Sequence, residues 1–239
     1  RDPTFLQFLY IQQVNHGNLV QLEGFCIDPE EANCYLVYEY IQNGSLHSWL
    51  HDNDKTNPTK KLSWKTRIRI AIDVANGLQY IHEHTRPRVV HKDIKTANIL
   101  LDANMRAKIA NFGLAKSADG VVSTKMDVFA FGVVLLELVS GKEAADEEGN
   151  SLWEDLGSVR RWVEDDGVDE ESEEGEEYGG SMESSVVNVL TVAAACVNVD
   201  PLKRPSMMDV VYALCRSDDE LFFDISDDDG LTNSKVTVR

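Results

Sequence analysis

The residues of this chain best suited to chemistry fall in one run, His91-Lys92-Asp93-Ile94-Lys95-Thr96-Ala97-Asn98-Ile99-Leu100-Leu101, with Asn111-Phe112-Gly113 shortly after it. It offers a carboxylate, a cation two residues on and an amide five residues on. Taken singly, each has an ordinary reading: Asp-x-Lys in a loop is a surface ion pair, and a lone Asn is a turn residue. Their joint occurrence in register, ahead of an apolar tail, is what needs explaining. Other candidates are weaker. His16, His47, His51, His82 and His84 are too scattered along the chain for a metal cage and are expected to pack in the core or on the surface. Cys26, Cys34, Cys196 and Cys215 form no C-x-x-C pair, which argues against zinc or a dense disulfide framework and for a reducing setting. Trp49, Trp64, Trp153 and Trp162 read as helix anchors rather than a stacking platform.

The elements that must carry this run follow from apolar spacing. Leu19 to Tyr40 reads as two strands and a turn, broken at Gly24 and Asp28-Pro29-Glu30. From Trp64 to His82, apolar residues at Ile68, Ile72, Ala75, Leu78 and Ile81 predict a helix buried on one face and capped by Ser63. Val89–Val90, Ile99–Leu101 and Lys108–Ala110 suit short strands. Asp127 to Ser140 is apolar on nearly all sides, which predicts a helix buried within a helical body and ended by Gly141. Helices are also predicted over Ser185–Val199 and over Pro205–Cys215, the latter with proline at its first position.

Composition bounds the function classes. The 239 residues, 43% apolar, can bury one substantial core or two small ones. The longest apolar run, Val128 to Val139, is about half of a ~20-residue membrane span, so no bilayer crossing is expected in this chain. The net charge, 23 − 41 = −18, disfavours nucleic acid and anionic lipid as partners. Sixteen acidic residues lie between positions 143 and 180, and a second acidic run leads to Arg239; the first reads as a solvated loop, the second as a disordered tail. With Arg1 first and no leader after it, the chain is expected to be a fragment, a processed product or an odd gene model.

The run His91 to Leu101 closely resembles the catalytic loop H-R-D-x-K-x-x-N of protein kinases, and Asn111-Phe112-Gly113 their D-F-G motif. The resemblance implies an α+β protein-kinase-like fold, mainly the helical C-lobe with a remnant of the small β-rich N-lobe. It implies ATP and magnesium as cofactors, Asp93 as the base that accepts a hydroxyl proton, Lys95 as neutraliser of the transferred phosphate, and Asn98 as a metal ligand. Leu36-Val37-Tyr38-Glu39-Tyr40 with Asn43-Gly44-Ser45-Leu46 is similar to the last strand and hinge of plant receptor-like kinases. That likeness puts Tyr38 at the gatekeeper and Tyr40, Ile41 and Leu100 around the adenine. Arg204-Pro205-Ser206-Met207 resembles the stretch whose arginine supports the activation segment. Glu23-Gly24-Phe25-Cys26, Ile81-His82-Glu83-His84-Thr85-Arg86-Pro87 and Ala107 to Gly113 are most similar to the LysM-domain receptor-like kinases of plants. No LysM module is present in this chain, so sugar binding is not implied for it. The expected organisation is a partial N-lobe and hinge over 1–41, a C-lobe over 42–217 with the acidic insert at about 143–180, and an acidic polar tail over 218–239.

Four departures from the kinase pattern bear on activity. The glycine-rich strands and strand lysine have no counterpart in this sequence, and the position of the helix glutamate falls on Gln7. The D-F-G aspartate is Asn111, a neutral amide in place of an anionic magnesium ligand. Only Leu114 to Met126 separate Gly113 from Asp127, so the peptide platform and usual phosphorylation loop are missing, and Arg204 should lose its glutamate partner and turn to solvent or another carboxylate. Lys92 replaces the usual arginine and cannot hold a phosphorylated loop bidentately. Weak or absent nucleotide binding is therefore expected. The leading expectation is a pseudokinase that works by contact with another receptor-like kinase or signalling protein, cytoplasmic or as the intracellular part of a plasma-membrane receptor. The alternatives are a weakly active serine/threonine kinase, or a mis-spliced product without independent function.

Overall fold

A computed structural model describes residues 15–28, 33–52, 61–118, 122–145, 151–152 and 179–223. Gln7, Trp153, Trp162, most of the acidic insert and the last residues of the tail lie outside the described residues. Strands β1 (Leu22–Asp28) and β2 (Asn33–Tyr38) form an antiparallel hairpin with a bulge between Leu22 and Gly24. They account for the two strands read between Leu19 and Tyr40. Both faces of the hairpin are solvated, with Phe25, Tyr35, Leu36 and Val37 all exposed.

Helix α1 (Leu46–Leu50) follows, capped by the Ser45 hydroxyl accepting from the Ser48 amide at 3.3 Å. Helix α2 (Trp64–Gln79) begins as its spacing dictates, with Ser63 Oγ accepting from the Thr66 amide. Its predicted continuation to His82 takes a wider form, a π-helical turn over Tyr80–His84. Strands β3 (Val89–Val90), β4 (Ile99–Leu101), β5 (Ala107–Ile109) and β6 (Lys116–Ser117) pair as β3 with β6 and β4 with β5. The β4–β5 pair is flanked on one side by Asn18–Val20, bonded to Ile109, and on the other by Asn43–Ser45, bonded to Leu101.

Helix α3 (Lys125–Ser140) is the axis of the helical body. Phe131, Val134, Leu135, Leu136, Leu138 and Val139 are all buried, and Gly141 closes the helix in the left-handed region at φ 65°. Helix α4 (Gly179–Cys196) packs beside it, and α5 (Met207–Phe223) packs on α4 and α2. Gly132 is the point of closest approach: a Cβ there would lie 2.7 Å from Cys196 Cβ and 2.8 Å from Val197 Cγ1.

Helix α5 corrects the expectation of proline at its first turn. Ser206 and Asp209 cap each other: the Asp209 amide donates to Ser206 Oγ at 3.2 Å, and the Ser206 amide donates to Asp209 Oδ2 at 3.2 Å. The helix therefore starts after Ser206, with Pro205 outside it. It also runs past Cys215, because Ser217 is fully buried with its carbonyl against Ser185 Oγ. The result is an α+β protein-kinase-like fold, mostly helical, with small strand pairs at one end.

Candidate functional site

The loop from His91 to Asn98 is shaped from below by one buried carboxylate. Asp127, on the first turn of α3 and 1% exposed, accepts from the His91 amide at 2.7 Å and the Lys92 amide at 2.8 Å. His82 Nε2 sits 2.8 Å from the same carboxylate. This anchoring holds Lys92 in the left-handed region at φ 71°, which turns Asp93 outward. A side chain with that backbone is strained unless its surroundings hold it, and two bonds to one buried carboxylate do so.

The His91 ring is the second support. Nε2 lies 2.9 Å from the Ala110 carbonyl and Nδ1 accepts from the Asp93 amide at 3.2 Å, an arrangement that assigns the proton to Nε2. Burial pushes this imidazole below its ordinary value, outweighing the opposite pull of Asp127. The Phe112 ring meets it edge-on at 4.7 Å, so the two motifs touch through their aromatic residues.

The four residues singled out by sequence come together. Lys95 Nζ is 3.0 Å from Asp93 Oδ1, and Asn98 Nδ2 donates to Asp93 Oδ2 at 2.8 Å and to the Asp93 carbonyl at 2.7 Å. Burial alone would push the Asp93 carboxyl up, but the hydrogen bonds from Lys95 and Asn98 carry it below its ordinary value. Asp93 is thus an ionised, solvent-reachable carboxylate. Asn111, in the left-handed region at φ 65°, turns its Nδ2 toward Asp93 Oδ2 and Asn98 Oδ1, both at 3.3 Å.

That last contact bears on how the cluster would receive magnesium. The oxygen that Asn98 would offer already receives an N–H, and Asn111 presents a donor where a hard cation needs an anionic acceptor. The set offers a divalent cation one carboxylate and two neutral amides, a poorer donor set than two carboxylates would make.

The residues expected around the adenine are spread along the hinge. Tyr38 ends β2, half-buried, with burial raising its phenol above the ordinary value. Ile41 is buried at 7% exposure while Tyr40 projects into solvent at 81%. Leu100 lies on β4, bridged to Ser45, so the hinge and this strand share one framework.

Arg204 corrects another expectation. Among the described residues it meets no carboxylate: partly buried, its Nε donates to the Asn198 carbonyl and Nη1 to the Lys125 carbonyl, both at 2.8 Å, and the guanidinium lies 4.9 Å from the Phe129 ring centre. Carbonyl dipoles and an aromatic face substitute for the missing anion. Sequence reasoning also missed Glu137, which is buried in α3 and receives the Thr96 hydroxyl at 2.9 Å and His51 Nε2 at 2.8 Å. A lone Glu inside an apolar helix was the available signal.

Comparison with known proteins agrees with this geometry. The sequence pattern of the protein tyrosine and serine/threonine kinase family matches residues 4–120. Protein LYK5 of Arabidopsis thaliana is 37% identical over 253 residues, covering 89% of this chain and 36% of that protein. LysM domain receptor-like kinase 3 of Medicago truncatula is 38% identical over 239 residues, covering 85% and 37%. Chitin elicitor receptor kinase 1 of Arabidopsis thaliana is 38% identical over 239 residues, covering 85% and 36%. The chain spans a little over a third of the length of these relatives. With the catalytic-loop geometry above, these matches show that the chain belongs to the protein kinase family, with LysM receptor-like kinases among its relatives there.

Proposed function

We propose that this chain is a kinase-like module of receptor signalling that does not transfer phosphate and works by binding another protein, a receptor-like kinase or a downstream signalling protein, as the cytoplasmic part of a plasma-membrane receptor. The observation that carries the reading is the Asn111 amide donating into Asp93 and Asn98. Metal-borne charge stabilisation contributes several kcal/mol to phosphoryl transfer, and each ~1.4 kcal/mol is tenfold in rate, so losing the anionic anchor costs orders of magnitude. The short connection from Gly113 to α3 supports the same reading, because β6 enters α3 with little chain to cradle a peptide. Among the described residues no helix is long and apolar enough to cross a membrane.

A second reading, a weakly active serine/threonine kinase, is favoured by Asp93 itself, which stays ionised and poised beside Lys95. Thermal denaturation with and without magnesium-ATP, followed by a labelled-phosphate transfer assay, separates the two. The proposal expects no magnesium-dependent shift and no incorporation. Incorporation abolished by Asp93→Asn establishes the second reading instead.

A further inference from the structure

Away from the catalytic loop, the fold brings two histidines against a glutamate distant in sequence. His47 lies on α1 and His51 caps its end, one helical turn apart on the same side, and both face Glu137 of α3. The imidazole nitrogens and a carboxylate oxygen all lie within 4.8 Å of one another. A tetrahedral zinc holds its ligand atoms about 3.3 Å apart, so small ring rotations close the set. The geometry points to a zinc site formed by His47, His51 and Glu137, with water as fourth ligand.

Three features go beyond proximity. His51 Nε2 already meets Glu137 Oε2 at 2.8 Å, with these side chains 4% and 6% exposed, so two ligands are held before any ion arrives. The zinc takes the place of the proton between them while His51 shifts its proton to Nδ1. Next, Thr96 Oγ1 donates to Glu137 Oε2 at 2.9 Å, the kind of outer hydrogen bond that orients a ligating carboxylate. Last, the His47 ring has a tilted contact with the His51 ring at 4.9 Å and no hydrogen-bond partner among the described residues. A bare structural pairing of His51, Glu137 and Thr96 gives His47 no role, whereas a His2Glu set is a donor combination zinc accepts. Bound zinc would tie α1, α3 and the catalytic loop at one point.

The test is calorimetric titration of the whole 239-residue chain with zinc chloride, in a Cys26→Ser background because Cys26 is an exposed thiol. One zinc per chain is expected, with a matching rise in melting temperature and no competition from magnesium. His47→Ala should weaken zinc binding at least tenfold while leaving the zinc-free melting temperature unchanged, and His84→Ala should leave zinc binding unchanged. Cobalt in place of zinc should give the intense visible absorption of tetrahedral coordination. Glu137→Gln is a harsher variant because Glu137 also holds Thr96, so His47→Ala decides. Failure to saturate at one equivalent, or unchanged zinc affinity in His47→Ala, overturns the site whatever the outcome of the phosphate-transfer assay.

Discussion

Asn111 is the residue at which chemistry and stability part company. As an amide it donates to both Asp93 and Asn98, so the cluster satisfies itself without a cation. Asn111→Asp would bring a second carboxylate against Asp93, a repulsion of about 1 kcal/mol at a solvent-facing site. The variant should melt lower than the parent in chelator and recover on adding magnesium, while the parent shows no magnesium response. His91 supplies a pH test. Its folded value is depressed below 6.5, so the unfolded chain binds the proton first and stability is lost as pH falls from about 6.5 through the folded value. Protonating Nδ1 would also evict the Asp93 amide. Urea midpoints should therefore decline below pH 6.5, and the decline should shrink in His91→Gln. That Asp93, Lys95, Asn98 and Asn111 lie together was legible in sequence because they sit on one short loop and one nearby turn, although the Asp127 anchor beneath them was not. Glu137 and His47 were not, because α1, the catalytic loop and α3 meet only in the folded core.

Among the elements, α3 and α4 meet most tightly at Gly132. Gly132→Ala gains about 1 kcal/mol of helix propensity but drives a methyl into Cys196 and Val197, and overpacking costs typically 1–3 kcal/mol. The clash should win, lowering the melting temperature by a few degrees at roughly 2–4 °C per kcal/mol. Helices whose signal lies in their own residues were legible: α2 from its spacing and Ser63, α3 from its apolar girth and Gly141. Where a start or an end depends on exchange between neighbours, the reading slipped. Pro205 suggested the first turn of α5, yet the mutual cap of Ser206 and Asp209 starts it later. Its continuation past Cys215 is held by Ser217 packing against Ser185 of another helix, which no local window contains. Strand β6 is two residues long and exists only because β3 lies opposite.

For the molecule as a whole, the −18 charge dominates its response to solvent. Like charges repel more in the compact state, and the screening length falls from about 30 Å at 0.01 M salt to about 8 Å at 0.15 M. Melting temperature should climb over that range of sodium chloride; a flat or falling curve would show that local pairs such as Lys108 with Glu39 outweigh the global field. The helical body was legible as a whole because its apolar runs are long, whereas the arrangement of the strands was not, since β4 and β5 depend on Asn18–Val20 and Asn43–Ser45 from distant parts of the chain. The grip of Asp127 on His91, Lys92 and His82 has one more consequence, for descent with modification. The loop's architecture is held from α3, whereas the groups it presents, Asn111 and Lys95, make no contact with that anchor, so the two can change independently. Substitutions at Asn111 or Lys95 and substitutions at Asp127 are thus mutational events of different kinds: the first alter what the loop presents to solvent, the second whether it keeps its shape.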